Sequence, residues 1–157
     1  MKISSETVDE LDTYVDERLD DITALVNDAR RRLGEAFDED VTVVSKQDVR
    51  DEMDDVLADG DRALNLAALY RVGVELEVRE DYAGFVVDEL IGRRIAATLV
   101  DSEPETTLAE ATFHYVDVYT DDVLGDVTAG EDDVLAGLAA GVQVRLPGWD
   151  WQDDSPP

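Results

Sequence analysis

The sequence predicts a helix-rich α+β domain, and three observations carry that expectation. Apolar residues recur at helical spacing through the first 37 positions, two or three later segments show similar spacing, and short β-branched or alternating runs lie between them. A chain of 157 residues matches one domain, and one of this size buries roughly 68–70% of the surface that its unfolded form exposes. No repeat or linker divides it, so residues 1–146 read as a single domain and 147–157 as a C-terminal arm.

The opening element is a long amphipathic helix of about 27 residues within positions 7–37. Val8, Leu11, Val15, Leu19, Ile22, Val26, Ala29, Leu33 and Phe37 step by three and four, with acids on the other face. Thr7 with Glu10 forms a capping box, and Arg30, Arg31 and Arg32 complement the helix dipole before Gly34. Residues 38–40 break the pattern, and the β-branched run at 41–44 reads as a short strand. Ser45 caps a second helix that places Val49, Met53, Val56 and Leu57 on one face and stops at Gly60.

Residues 70–79 alternate apolar and polar and read as a half-buried strand, although Ala67, Ala68 and Leu69 before them are good helix formers. From Asp81 a third helix turns Phe85, Val87, Leu90, Ile91, Ile95 and Leu99 inward, with Pro104 in the loop beyond. Residues 112–120 are ambiguous: Tyr and Val favour a strand, while the lead-in at 108–111 favours a helix. A short helix at 131–140 ends at Gly141, and 142–146 forms the last strand.

The chain carries 26 Asp and 14 Glu against 11 Arg and 2 Lys, for a formal charge of −27. Aspartate excess with lysine nearly absent (Lys2 and Lys46) resembles the proteins of extremely halophilic archaea throughout. Such a surface repels itself over a Debye length of about 10 Å at 0.1 M salt and about 3 Å at 1 M, so the compact state is expected to need salt. That background weakens the reading of the charge as nucleic-acid mimicry or as a surface for basic partners. Direct nucleic-acid binding is not expected either, because Arg30–Arg32 is the only basic run and phosphate affinity collapses as salt rises.

Catalytic and cofactor motifs are not visible. The absence of cysteine removes disulfides, thiol nucleophiles and cysteine-based metal sites. His114, the only histidine, stands between Phe113 and Tyr115 without a Ser or His partner, which predicts a structural role. The acid pairs Asp54–Asp55, Asp59–Asp61, Asp121–Asp122 and Asp132–Asp133 follow from the abundance of acids, and none has calcium-loop spacing. Gly125, Gly130, Gly137 and Gly141 form no phosphate cradle, and Arg93 and Arg94 read as a solvated helix face. No catalytic residue, cofactor, metal ligand or membrane span is expected, and the N-terminus lacks the apolar core of a signal peptide.

Both tryptophans, Trp149 and Trp151, fall in the last nine residues. A short tail closed by two prolines cannot bury two indoles within itself, so they fold back on the domain or anchor in a neighbouring subunit. Leu146 and Pro147 are expected to set the exit angle of this arm. The long opening helix, the apolar 67–70 segment and the Trp149-Asp150-Trp151 arm resemble, in plan, the small adaptor, connector or neck proteins of the head–tail junction of tailed viruses. The alternation at 70–79 counts against a purely helical adaptor. The resemblance implies a non-catalytic, oligomeric structural protein with protein partners, in a virion or in the cytoplasm of a halophilic host. The alternative is a monomeric or dimeric host regulator that binds another protein.

Overall fold

The computed structural model describes residues 2–76, 87–100, 102–125 and 127–147. Among them the regular elements are eight helices, with no strand. The α+β expectation is therefore corrected to an all-helical fold.

The long opening helix is two helices, α1 (Ser5–Glu17) and α2 (Leu19–Phe37), meeting at Arg18. The capping box forms one turn earlier than expected: Ser4 Oγ accepts from the Glu6 N–H and Thr7 Oγ1 accepts from the Ser4 N–H. Leu11, Val15, Ile22, Val26 and Ala29 of the predicted stripe are buried, and Leu25 beside them as well, but Phe37 at its end is 68% exposed. Gly34 does not stop α2. Asp38 does, in the left-handed conformation at φ 53°. A Cβ on Gly34 would lie 2.9 Å from the Glu39 carbonyl oxygen, so glycine there lets the following loop fold against the helix.

Residues 41–44 form that loop rather than a strand. Only Val44 of the four is buried, and its backbone is held by a side chain of α2, so nothing supplies a second strand for a ladder. Helix α3 (Lys46–Leu57) starts at Ser45 as predicted. Ser45 Oγ accepts from the Asp48 N–H at 3.1 Å, and the Asp48 carboxylate accepts from the Ser45 N–H at 2.9 Å. Those bonds hold the Asp48 carboxyl below its usual range. Val49, Met53 and Val56 are fully buried and Leu57 partly so. The helix ends at Ala58, and Gly60, expected as its stop, opens α4 (Gly60–Glu75).

The alternation at 70–79 is overturned where it can be followed. Residues 70–75 continue α4, and 77–79 lie outside the described residues. Tyr70, Gly73 and Val74 turn toward the core at helical spacing, and Arg71 pairs with Glu75 one turn on. The same residues therefore satisfy both periods, and packing selects the helix. Helix α5 (Val87–Val100) buries Ile95 and Leu99 completely, whereas Leu90, expected inside, is 52% exposed. Phe85 and the side chain of Val87 lie outside the described residues.

The ambiguous stretch 112–120 is helical, divided between α6 (Glu105–Val118) and α7 (Thr120–Val123). Thr112, Phe113, Val116 and Thr120 are buried at steps of one, three and four, which a strand cannot produce. Finally, the expected helix at 131–140 and strand at 142–146 are one helix, α8 (Ala129–Arg145), running straight through Gly141.

Helix α8 is the axis of the fold. It is buried on all sides from Asp133 to Gln143, against α2, α4, α5 and α6. Close approach explains its glycines. A Cβ on Gly137 would lie 2.4 Å from the Gly92 carbonyl oxygen of α5, and one on Gly130 would lie 2.0 Å from that of Gly73 in α4. Those contacts leave no room for side chains, so the backbones themselves pack.

Candidate interaction surface at the base of the C-terminal segment

Two side chains of α2 organise the end of the molecule from which the C-terminal segment departs. Arg30 is 2% exposed. Its guanidinium donates to the Thr42 carbonyl at 2.8 Å, to Gln143 Oε1 of α8 at 2.8 Å and to the Pro147 carbonyl at 2.7 Å. One planar fork thus joins α2, the 38–45 loop, α8 and the chain beyond it. Burial lowers the Arg30 pKa. Three residues earlier, Asn27 Nδ2 donates to the Val44 carbonyl and Asn27 Oδ1 accepts from the Val44 N–H, both at 2.9 Å. The loop is therefore tied at Thr42 and Val44.

The tied loop has an exposed apolar rim. Val43, between the two anchored residues, is 78% exposed, and Phe37, where α2 runs out, is 68% exposed. Next to the loop lies an open groove of about 870 Å³ between α2, the loop and α7, with Asn27, Arg31, Gly34, Glu39, Val43 and Asp122 among its walls. Two of its wall residues, Asp28 and Asp122, are joined through Arg32, whose guanidinium lies 2.8 Å from Asp28, 3.4 Å from Asp122 and 3.8 Å from the Tyr119 ring centroid.

Of the four interaction residues expected from the sequence, the structure places two. Leu146 is 4% exposed and part of the core, and Pro147 is exposed but fastened through its carbonyl to Arg30. The body of the domain thus extends through residue 147. Trp149 and Trp151 lie outside the described residues. Sequence reasoning missed Arg30, which it assigned to a basic run serving a helix dipole. The available signal was its place in the stripe, four residues after Val26 and next to Ala29.

Elsewhere, His114 Nδ1 lies 3.1 Å from Glu89 Oε1, joining α6 to α5 at a half-exposed surface position. Tyr14 donates to Glu131 Oε1 at 3.0 Å, and Arg18 makes a close ion pair with the same carboxylate. Burial first, and the Glu131 charge second, push the Tyr14 pKa far above the ordinary phenol value. Asp117, Asp132 and Asp133 bring carboxylate oxygens within 4.8 Å of one another, spacing that could hold a metal ion. The Thr120 hydroxyl donates to Asp132 at 3.0 Å. Packing of α6 on α8 creates that group, which the sequence shows only as the pair Asp132–Asp133 and a distant Asp117.

The chain belongs to the family described as Domain of unknown function (DUF7984). The match covers residues 1–157, the whole chain. No curated protein and no solved structure matches it. Among the described residues of this DUF7984 chain, no helix is long and apolar enough to cross a membrane.

Proposed function

We propose that the protein is a non-catalytic assembly component of a high-salt system, binding neighbouring protein subunits, copies of itself included, through the Phe37–Val43 rim and the C-terminal segment. The observation that carries this reading is the fixed presentation of Phe37 and Val43, 68% and 78% exposed, beside a loop held at Thr42 and Val44. Scattered apolar exposure is ordinary, but a rim fixed by a buried arginine and an asparagine is preorganised, and preorganisation lowers the entropy lost on binding. Leu146 is buried in the core and Pro147 is fastened to Arg30, shortly before Trp149 and Trp151 in the sequence, and indoles are frequent anchors at interfaces.

Within that class, the role it fits is a head–tail connector component of a virus of halophilic archaea, residing in the virion or in the host cytoplasm. The helical course of residues 70–75 supports this role, because a strand there was the feature that spoke against a helical adaptor. The Asp-rich, Lys-poor composition supports the high-salt setting.

Light scattering coupled to size exclusion in multimolar KCl tests the reading on three proteins: the whole chain, a chain ending at Pro147, and the double variant Phe37→Asp, Val43→Asp. The whole chain is expected to run as a closed oligomer, and each altered protein as a smaller species with unchanged helical circular dichroism. A monomeric whole chain, indifferent to both changes, would overturn the assembly reading in favour of a host protein that binds a different partner.

A further inference from the structure

A second region of the surface departs from the rule that governs the rest. With 40 carboxylates to 11 arginines, an arginine should rarely lack an acid, and most of those described have one. Arg31 reaches Asp28 and Glu35, Arg32 reaches Asp28, Arg50 reaches Asp54 and two acids of α1, and Arg71 reaches Glu75 and Glu10. Arg145, with no acid one turn away, takes Glu52 from α3. Arg94 makes no ion pair with any described residue. Its helical neighbours at three and four positions are Leu90, Ile91, Ala97 and Thr98, so α5 itself offers no carboxylate.

Arg94 is exposed, but it does not stand alone on the surface of α5. It lines a cleft of about 390 Å³ between α4, α5 and the start of α6, together with Asp59, Asp61, Arg62, Asn65 and Thr98. Arg62 is only 17% exposed at its side chain, and its Nε lies 3.6 Å from Asp59 Oδ2. Among the described residues that line it, two arginines stand with two aspartates, on a chain whose formal charge is −27. An anion meets less repulsion there than beside carboxylates alone.

We propose that the cleft at Arg94 is a carboxylate-binding site, in which the Arg94 guanidinium receives the carboxylate in the two-pronged geometry that suits a planar fork and Asn65 lies within the same walls. A carboxylate fits the fork better than chloride, which cannot take two parallel N–H bonds, and this allows recognition in a chloride-rich medium. The carboxylate comes from one of two sources: a small free acid such as an amino acid, or an Asp or Glu side chain of a second copy of this acidic chain. The site shares no residue with the Phe37–Val43 rim. With the free acid as source, its failure leaves the assembly reading intact; the second source rests on that reading.

The test is a titration of the full chain with potassium glutamate and with potassium acetate in multimolar KCl, read by amide and methyl NMR shifts at Asn65, Ala97 and Thr98. Saturable shifts confined to the cleft are expected for the free acid, abolished in Arg94→Gln and at least tenfold weaker in Arg94→Lys, which keeps the charge and loses the fork. Absence of those shifts together with a smaller assembled mass for Arg94→Gln assigns the site to a side chain of the neighbouring copy. Absence of both effects overturns the proposal. Arg93→Gln, one residue away and outside the cleft, serves as the control and should change neither.

Discussion

Helices α2 and α8 are both long and lie against each other, yet they are fixed in place by opposite means. Helix α8 is buried on every side along residues 133–143 and packs through glycines so closely that backbone meets backbone. Helix α2 buries one stripe, leaves Asp20, Glu35 and Arg31 on its outer face, and joins its surroundings through Arg30 and Asn27. The buried middle of α8 depends on shape, although ion pairs of Glu131 with Arg18 and of Arg145 with Glu52 fasten its ends. Helix α2 depends on charge and directional bonds, so salt and pH should act on it first.

The largest effect expected is that of salt itself. Lowering KCl lengthens the reach of repulsion among the carboxylates, and far-UV circular dichroism should show loss of helix in low salt. Hydrogen exchange sharpens the comparison: as salt falls, amides of α1, α2 and α3 should lose protection before those of α8. Full retention of structure in low salt would remove the high-salt adaptation, and α8 opening first would reverse the ranking of the two regions.

Next in size is Gly137→Val. Its Cβ would fall 2.4 Å from the Gly92 carbonyl oxygen, and overpacking backbone against backbone should destabilise by about 3 kcal/mol or more. Urea unfolding at constant KCl measures this, and a change below about 1 kcal/mol would mean that the α5–α8 seam can open without penalty. Arg30→Ala should follow at about 2–3 kcal/mol, because it leaves the Thr42 and Pro147 carbonyls and Gln143 without their donor. Arg30→Lys should restore little of that, since one ammonium cannot reproduce the fork.

The smallest effect is that of the Tyr14 hydroxyl, worth about 1 kcal/mol at neutral pH through its bond to Glu131. Its pH dependence has a definite sign. The Tyr14 pKa in the folded protein lies above the ordinary value of 10.0, so its contribution is complete below about pH 10. Above that the unfolded chain ionises first, and the contribution declines as pH rises toward the folded value. Tyr70 and Tyr115 are shifted in the same direction, so Tyr14→Phe should flatten the alkaline loss of stability without abolishing it. An unchanged alkaline slope would show that the buried contact with Glu131 does not form.

Part of the fold was legible because single residues determine it locally. Ser45 caps α3 with a side chain only three residues from its partner, and Val49, Met53 and Val56 fall on one face whatever surrounds them. The inward stripe of α1 and α2 was legible for the same reason, up to Phe37. What misled was the alternation at 70–75 and at 142–146, where β-branched residues sit in helices because neighbouring elements bury them at helical spacing. Gly141 reads as a stop in isolation. In α8 it is the position where a Cβ would lie 2.3 Å from Leu99, so it serves contact with α5 rather than an end.

The candidate surfaces divide in the same way. Leu146 and Pro147 could be picked out from the sequence because they precede an unusual tail, but their fixing by Arg30 joins residues 117 apart. The same holds for the Arg94 cleft, formed by α4, α5 and α6, and for the Asp117, Asp132 and Asp133 group.

By itself the sequence determined the charge, the lack of cysteine, the Ser45 cap and the amphipathic stripes. Each of these is a property of composition or of residues within one or two turns. Tertiary structure alone decided that every described element is helical, that α8 rather than α2 is the axis, and which arginines find acids on another helix, as Arg145 finds Glu52. Those outcomes depend on which faces meet, and burial against a distant partner outweighs the few tenths of a kcal/mol by which local propensity separates helix from strand.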